Sequence, residues 1–175
     1  ASCDMPGLTP LDQALESLLD GIETRSDKEL IRLEEALGRV LADDVCSTLN
    51  VPPADNSAMD GYAVRLDEVE PGVPLRVTGE VRPGQSVSAL ASCAAVRIFT
   101  GGVLPDGANC VIMQEYAMRD GDSVQFAPGF GPARHVRQKG SDFDRGDVVL
   151  RRGTKLDARS LVAAAATDAK QLEVY

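Results

Sequence analysis

Only one of the 175 residues is histidine, none is tryptophan, and the aromatic side chains amount to three Tyr and four Phe. A single imidazole, His135, excludes multi-His zinc sites and leaves a Ser/His or Cys/His triad one possible base. With so few rings to stack on bases, and 18 basic against 27 acidic residues for a net charge of −9, the chain repels phosphate backbones, so no nucleic-acid partner is expected. The four cysteines, Cys3, Cys46, Cys93 and Cys110, show no Cys-x-x-Cys spacing and are too sparse for a disulfide scaffold, which predicts reduced thiols and a cytoplasmic protein. The longest unbroken apolar run is six residues, Leu161 to Ala166, and no basic residue precedes Arg25. Neither a membrane span nor the charged start of a leader is expected. What remains is chemistry built from carboxylates, backbone N–H groups, arginines and a hard cation such as Mg²⁺.

The mass of 18.5 kDa is enough to bury roughly 70% of the extended surface, room for one core or two small ones. Thr9-Pro10-Leu11-Asp12 is a helix start, with a hydroxyl to cap and proline at the first helical position, and Leu11, Leu15, Leu18 and Ile22 continue at helical spacing. A helix is predicted over 10–21, followed by a short strand at 29–32 and a helix over 34–41. After Val51-Pro52-Pro53 the Pro and Gly content rises and apolar runs shorten to strand length. Strands are predicted at 61–65, 75–81, 95–100, 109–116, 122–127 and 134–138, spaced as in a small barrel or sandwich. Beyond Gly140 come a strand at 148–150, a helix from the capping Asp157 to about Thr167, and a strand at 171–175. The expected fold class is α+β: residues 1–50 and 140–175 form a discontinuous α/β domain, with a β-rich, barrel-like domain inserted at 51–139.

Three stretches carry candidate chemistry. The first, Asp55-Asn56-Ser57-Ala58-Met59-Asp60-Gly61-Tyr62-Ala63-Val64, can expose oxygen ligands, although Asx turns and an Asp-Gly bend account for the same residues. The second, Arg97 to Gly107, delivers the Thr100 hydroxyl to a glycine pair whose N–H groups can approach an oxyanion; it lacks the Gly-Lys-Ser/Thr of a P-loop, and taken alone a plain hairpin turn is the simpler account. The third is charge segregation: residues 134–155 are net +4, leaving −13 elsewhere, with Arg137 as a forked anion donor beside Asp142. A solvated pair of strands is the alternative. Glu115 alternates with Val111 and Met113 as an inward residue would, but a surface carboxylate at the strand end is the simpler expectation, and no acid near His135 in sequence orients it as a base.

Together these stretches resemble the molybdopterin molybdenumtransferase family, which includes bacterial MoeA and the E domain of gephyrin. The match rests on Asp55 to Val64, supported in order by Thr100-Gly101-x-x-x-Pro105-x-Gly107, by Val111-Ile112-Met113-Gln114-Glu115, and by Arg137-x-x-Gly140-x-Asp142 with Gly146 and Gly153. It spans about residues 8–175 but well under half of a full family member, implying an N-terminal portion that lacks the pterin-binding domain and a C-terminal barrel. The resemblance implies insertion of molybdate into adenylylated molybdopterin with release of AMP, a Mg²⁺ requirement, a homodimer, and a molybdopterin-adenylating protein as partner. It assigns Asp60 and Asp142 as catalytic and metal-binding carboxylates and Thr100, Arg137 and Ser57 as substrate contacts. Ser141 stands where the family more often has Glu. The family also allows an oligomerisation or scaffold module without a catalytic role.

Overall fold

A computed structural model describes residues 9–23, 27–85, 88–131 and 134–175; Cys3 lies outside the described residues. In chain order the elements are α1 (Leu11–Asp20), β1 (Glu29–Arg32), β2 (Val45–Cys46), β3 (Asn56–Ser57), β4 (Gly61–Val64), β5 (Leu75–Val81), β6 (Ala94–Ile98), β7 (Cys110–Met113), β8 (Ala117–Asp120), β9 (Ser123–Phe126), β10 (Val136–Arg137), β11 (Val148–Leu150), α2 (Ala158–Ala166) and β12 (Gln171–Val174). The chain is mostly β with two α-helices.

The largest sheet has six strands in the order β7-β4-β6-β5-β9-β8 and stays open at both ends, where the spacing of the strands had suggested a barrel or a sandwich. Its pairs are antiparallel except β5 with β6. Period-2 alternation sorts the central strands onto two cores. Tyr62, Val64, Ala95, Cys110 and Ile112 join Phe126 on one face, while Ala63, Val96, Ile98 and Val111 join Val81 on the other. All four residues of β4 are therefore buried, and their near-continuous apolar character is the mark of a strand covered on both sides.

A third core gathers the two ends of the chain. β1 pairs antiparallel with β12 and β2 with β11, and Leu41, Val45, Leu156, Ala164, Leu172 and Val174 pack together between these ribbons and α2. The helix starts where Asp157 accepts hydrogen bonds from the Ser160 N–H and hydroxyl, both at 2.8 Å. The segments around this core contribute one packed helix and two-stranded antiparallel ribbons.

Four details differ from the sequence expectations. The helix at 34–41 is a single 3₁₀ turn, Leu33–Glu35; Leu37 is exposed, whereas Val40 and Leu41 bridge to Lys155 and Val174, so the leucines never shared one helical face. Pro10, whose φ and ψ are not helical, holds the cap position of α1, and no side chain caps it. The strand over 109–116 ends at Met113 in a 3₁₀ turn and restarts as the polar edge strand β8. The strand over 134–138 shortens to β10.

Gly61 is the tightest point of the large sheet, because a Cβ there would sit on the Ile112 carbonyl of β7. Gly61→Ala is expected to cost about 3 kcal/mol or more in urea denaturation, since backbone rather than a side chain must yield. Gly38→Ala, at φ +80° with nothing within 4 Å, is expected to cost only about 1–2 kcal/mol of conformational strain.

Candidate functional site

The first candidate pair forms across the mouth of the six-stranded sheet. Asp60 ends the turn entering β4, and Thr100 follows the end of β6. Because β4 and β6 are paired, with Gly61 opposite Ile98, the two residues come together although 40 positions apart. The Thr100 N–H donates to Asp60 Oδ1 at 2.7 Å and the Thr100 hydroxyl donates to the same oxygen at 2.8 Å. These two bonds, led by the backbone one, hold the Asp60 carboxyl below the usual carboxylate range, and the Arg97 guanidinium adds to the effect. Asp60 is half-buried and stays an anion at neutral pH, while Thr100 is exposed.

The second pair lies on β10 and the turn after it. Arg137 Nη2 donates to both oxygens of Asp142, at 2.8 and 2.7 Å. The Asp142 N–H donates to the Val51 carbonyl at 2.9 Å and the Gly140 N–H to the Pro52 carbonyl at 3.0 Å, which pins this turn against Val51 and Pro52. Both side chains are substantially exposed. Only one guanidinium nitrogen of Arg137 is used, so among the described residues its other N–H groups have no protein partner.

What joins the pairs is β3. The Ser57 N–H donates to the Gly102 carbonyl at 2.9 Å and the Gly101 N–H donates to the Ser57 carbonyl at 2.8 Å, along one edge. Along the other edge Ser57 opposes Val136 and Asn56 opposes Arg137. The Thr100–Gly102 turn and β10 therefore flank one strand, two strand spacings or roughly 10 Å apart. Ser57 itself is 2% exposed, and its hydroxyl donates to the Met59 carbonyl, closing its own turn. Asp55 accepts from the Lys139 N–H at 2.8 Å, and Asp55 and Lys139 line a groove of about 380 Å³ together with Val103, Leu104 and Asp106. A larger depression, about 640 Å³, is lined by Arg32, Leu33, Ala165 and Lys170 on the terminal core and contains none of these residues.

Two further residues have plain positions. Glu115 is exposed. His135 is half-buried at φ +48°, and its carbonyl accepts from the Ala58 N–H at 2.9 Å.

The donor set bears differently on a divalent cation at its two carboxylates. Both Asp142 oxygens are taken by Arg137, whose positive charge opposes a second cation there. The two protein bonds to Asp60 fall on one oxygen, Oδ1. No group of three or more His, Cys, Asp or Glu side chains suited to a metal occurs among the described residues. The residues thus fit an ion held through one carboxylate, Asp60, with its other ligands coming from bound substrate and water, a usual arrangement for Mg²⁺.

Sequence reasoning missed Arg97 and Gln114. Arg97 Nη1 donates to the Gly61 carbonyl at 2.8 Å and Nη2 to Gln114 Oε1 at 2.6 Å. The available signal was a charged residue alternating with Ala95 on an otherwise apolar strand.

Carbon-detected NMR is expected to place the Asp60 carboxyl midpoint below the ordinary carboxylate value. A depressed folded-state pKa contributes stability that is present above the unfolded value and lost as pH falls through the folded one. Thr100→Val, which deletes the hydroxyl bond and keeps the amide, is expected to move the midpoint upward and to narrow that acid-side loss of stability. An unmoved midpoint contradicts the assignment.

The family described as the MoeA N-terminal region (domain I and II) matches residues 9–167. The molybdopterin molybdenumtransferase of Haemophilus influenzae is 38% identical over 167 residues, which are 94% of this chain and 41% of that protein. The enzyme of the same name from Nostoc is 36% identical over 177 residues, 98% of this chain and again 41% of the relative. The crystal structure of the molybdopterin biosynthesis moeA protein from Pyrococcus horikoshii OT3 superposes with a TM-score of 0.84 at 36% identity, covering 95% of this chain and 46% of that one. The chain thus spans about two fifths of the length of these sequence relatives, and with a family match across most of its residues it belongs to the MoeA N-terminal family.

Proposed function

We propose that this chain supplies part of the active cleft for molybdenum insertion in molybdenum cofactor biosynthesis, acting with a pterin-binding domain beyond these residues. The observation that carries the reading is the joining of two oppositely equipped pairs, Asp60 with Thr100 and Arg137 with Asp142, along the two edges of β3. The reaction takes molybdate and adenylylated molybdopterin and releases AMP, so the site faces an oxyanion and a phosphate linkage. Arg137 is suited to the anion: Asp142 fixes its orientation while its remaining N–H groups point to no protein acceptor among the described residues. Asp60, kept ionised by Thr100, is suited to orient a water or to ligate the cation. A Mg²⁺ ion, when bound, would be held by Asp60 and would neutralise phosphate charge. Ser57 serves the substrate through the turn it closes.

The same reading makes residues 1–50 and 140–175 one discontinuous domain with 51–139 inserted, in a cytoplasmic homodimer that receives its substrate from a molybdopterin-adenylating protein. One observation supports an assembly. The five apolar side chains Leu11, Leu15, Leu18, Leu19 and Ile22 of α1 and its end are all more than half exposed. Light scattering is expected to show a dimer that Leu15→Asp with Leu18→Asp converts to monomer.

The decisive test is a chimera in which this chain replaces the matched N-terminal portion of the Haemophilus influenzae relative. The chimera is expected to insert molybdenum, the 175-residue chain alone to show none, and Asp60→Asn in the chimera to lose about a hundredfold in turnover, the scale of removing one preorganised electrostatic group. Full turnover in the Asn variant refutes the catalytic assignment and leaves a scaffold module as the function.

A further inference from the structure

We propose that Arg97 is a positioning residue that clamps the Asp60–Thr100 pair from behind; the proposal rests on the reading of that pair as part of the site. Arg97 alternates with Ala95 on β6, on the face that carries Tyr62, and there its guanidinium lies 5.3 Å from the centre of the Tyr62 ring and 4.5 Å from that of Phe99. Its two terminal nitrogens are spent on the turn, Nη1 on the Gly61 carbonyl and Nη2 on Gln114 Oε1. The Gln114 N–H in turn donates to the Asp60 carbonyl at 3.0 Å.

The consequence is geometric. The carbonyls of Asp60 and of Gly61 are each held by a donor, one belonging to Gln114 and the other to Arg97, and Gln114 and Arg97 are bonded to each other. Immediately past the end of its own strand the guanidinium covers Phe99, the residue before Thr100. One planar group thus touches the chain one residue after Asp60 and one residue before Thr100, fixing both halves of the pair without touching either carboxylate oxygen. Arg82 covers Phe99 as well, at 5.0 Å, but makes no bond to the turn among those of the described residues. A forked planar donor that also stacks on rings is what arginine offers and lysine does not.

The readout is hydrogen exchange of the Thr100 amide, measured by NMR on the 175-residue chain with exchange at β4, β6 and β7 amides recorded beside it. Arg97→Gln is expected to speed Thr100 exchange about tenfold more than it speeds the neighbouring strands, because the pair opens locally while the sheet persists. Arg97→Lys, keeping charge and losing the fork, is expected to fall between, and Arg82→Gln to leave Thr100 slow. Should Arg97→Gln not fold, Gln114→Ala removes the second arm and is expected to give the same selective acceleration at smaller size. Thr100 exchange that is unchanged, or that rises only in step with the surrounding strands, overturns the proposal. Selective acceleration alongside full activity of Asp60→Asn in the chimera leaves the clamp standing and removes the functional reading instead.

Discussion

Two residues of extended chain, Asn56 and Ser57, hold the candidate site together. A two-residue strand has too few ladder bonds to persist by itself, so β3 exists because both of its edges are occupied, by the Gly101–Gly102 turn on one side and by β10 on the other. Ser57 is buried, and a buried hydroxyl left without a partner costs about 1–3 kcal/mol. Its donation to the Met59 carbonyl meets that cost locally, and the geometry it enforces sets the direction in which the chain leaves toward Asp60. A single short strand therefore fixes where a carboxylate pair and an arginine pair stand relative to each other.

Behind this front the architecture is conservative in its use of polar groups. β4 is buried on both faces and offers no room at Gly61, so the turn that presents Asp60 is anchored to the most constrained strand of the sheet. Beside it, the Arg97 guanidinium is hydrogen-bonded to a carbonyl and an amide oxygen and stacked against two rings. A rigid wall with few degrees of freedom suits a site whose electrostatics must be set before substrate arrives.

Much of this was legible in the sequence where local and tertiary preferences agree. The limits of β5 at Leu75–Val81 match the predicted 75–81, and Asp157 caps α2 as its position suggested. Reading failed where a side chain's role is decided by a distant partner. Leu33, Leu37 and Val40 sit at helical spacing, yet the chain there turns after Glu35 and closes bridges to residues more than 100 positions away. β8 was invisible because Ala-Met-Arg-Asp is a mostly exposed edge with no apolar alternation, held by its pairing with β9 and by Ala117 against the core. In the site, the acidic and hydroxyl residues could be named from their motif, but that Thr100 donates to Asp60 is a fact of β4–β6 pairing, and that Arg137 spends one nitrogen on Asp142 follows from the way the turn after β10 is pinned to Val51 and Pro52.

The electrostatics explain why such a wall would need a second surface. Asp60 is charged and its acidity is set chiefly by the two neutral Thr100 donors, with a smaller part from Arg97, so it presents a negative charge to whatever approaches. Arg137 is balanced in charge by Asp142 but keeps unused N–H donors, so the front offers a negative charge and a set of anion donors within a few residues of β3. Exposed to water, each of these groups is screened and worth little. Enclosed by an apposed domain that expels water, the same pairs act at short range in a lower dielectric, and the worth of each contact rises severalfold. The exposed pairs thus follow the rule that an ion pair or a carboxylate in open water contributes little, and the same groups would act more strongly on a substrate held out of water.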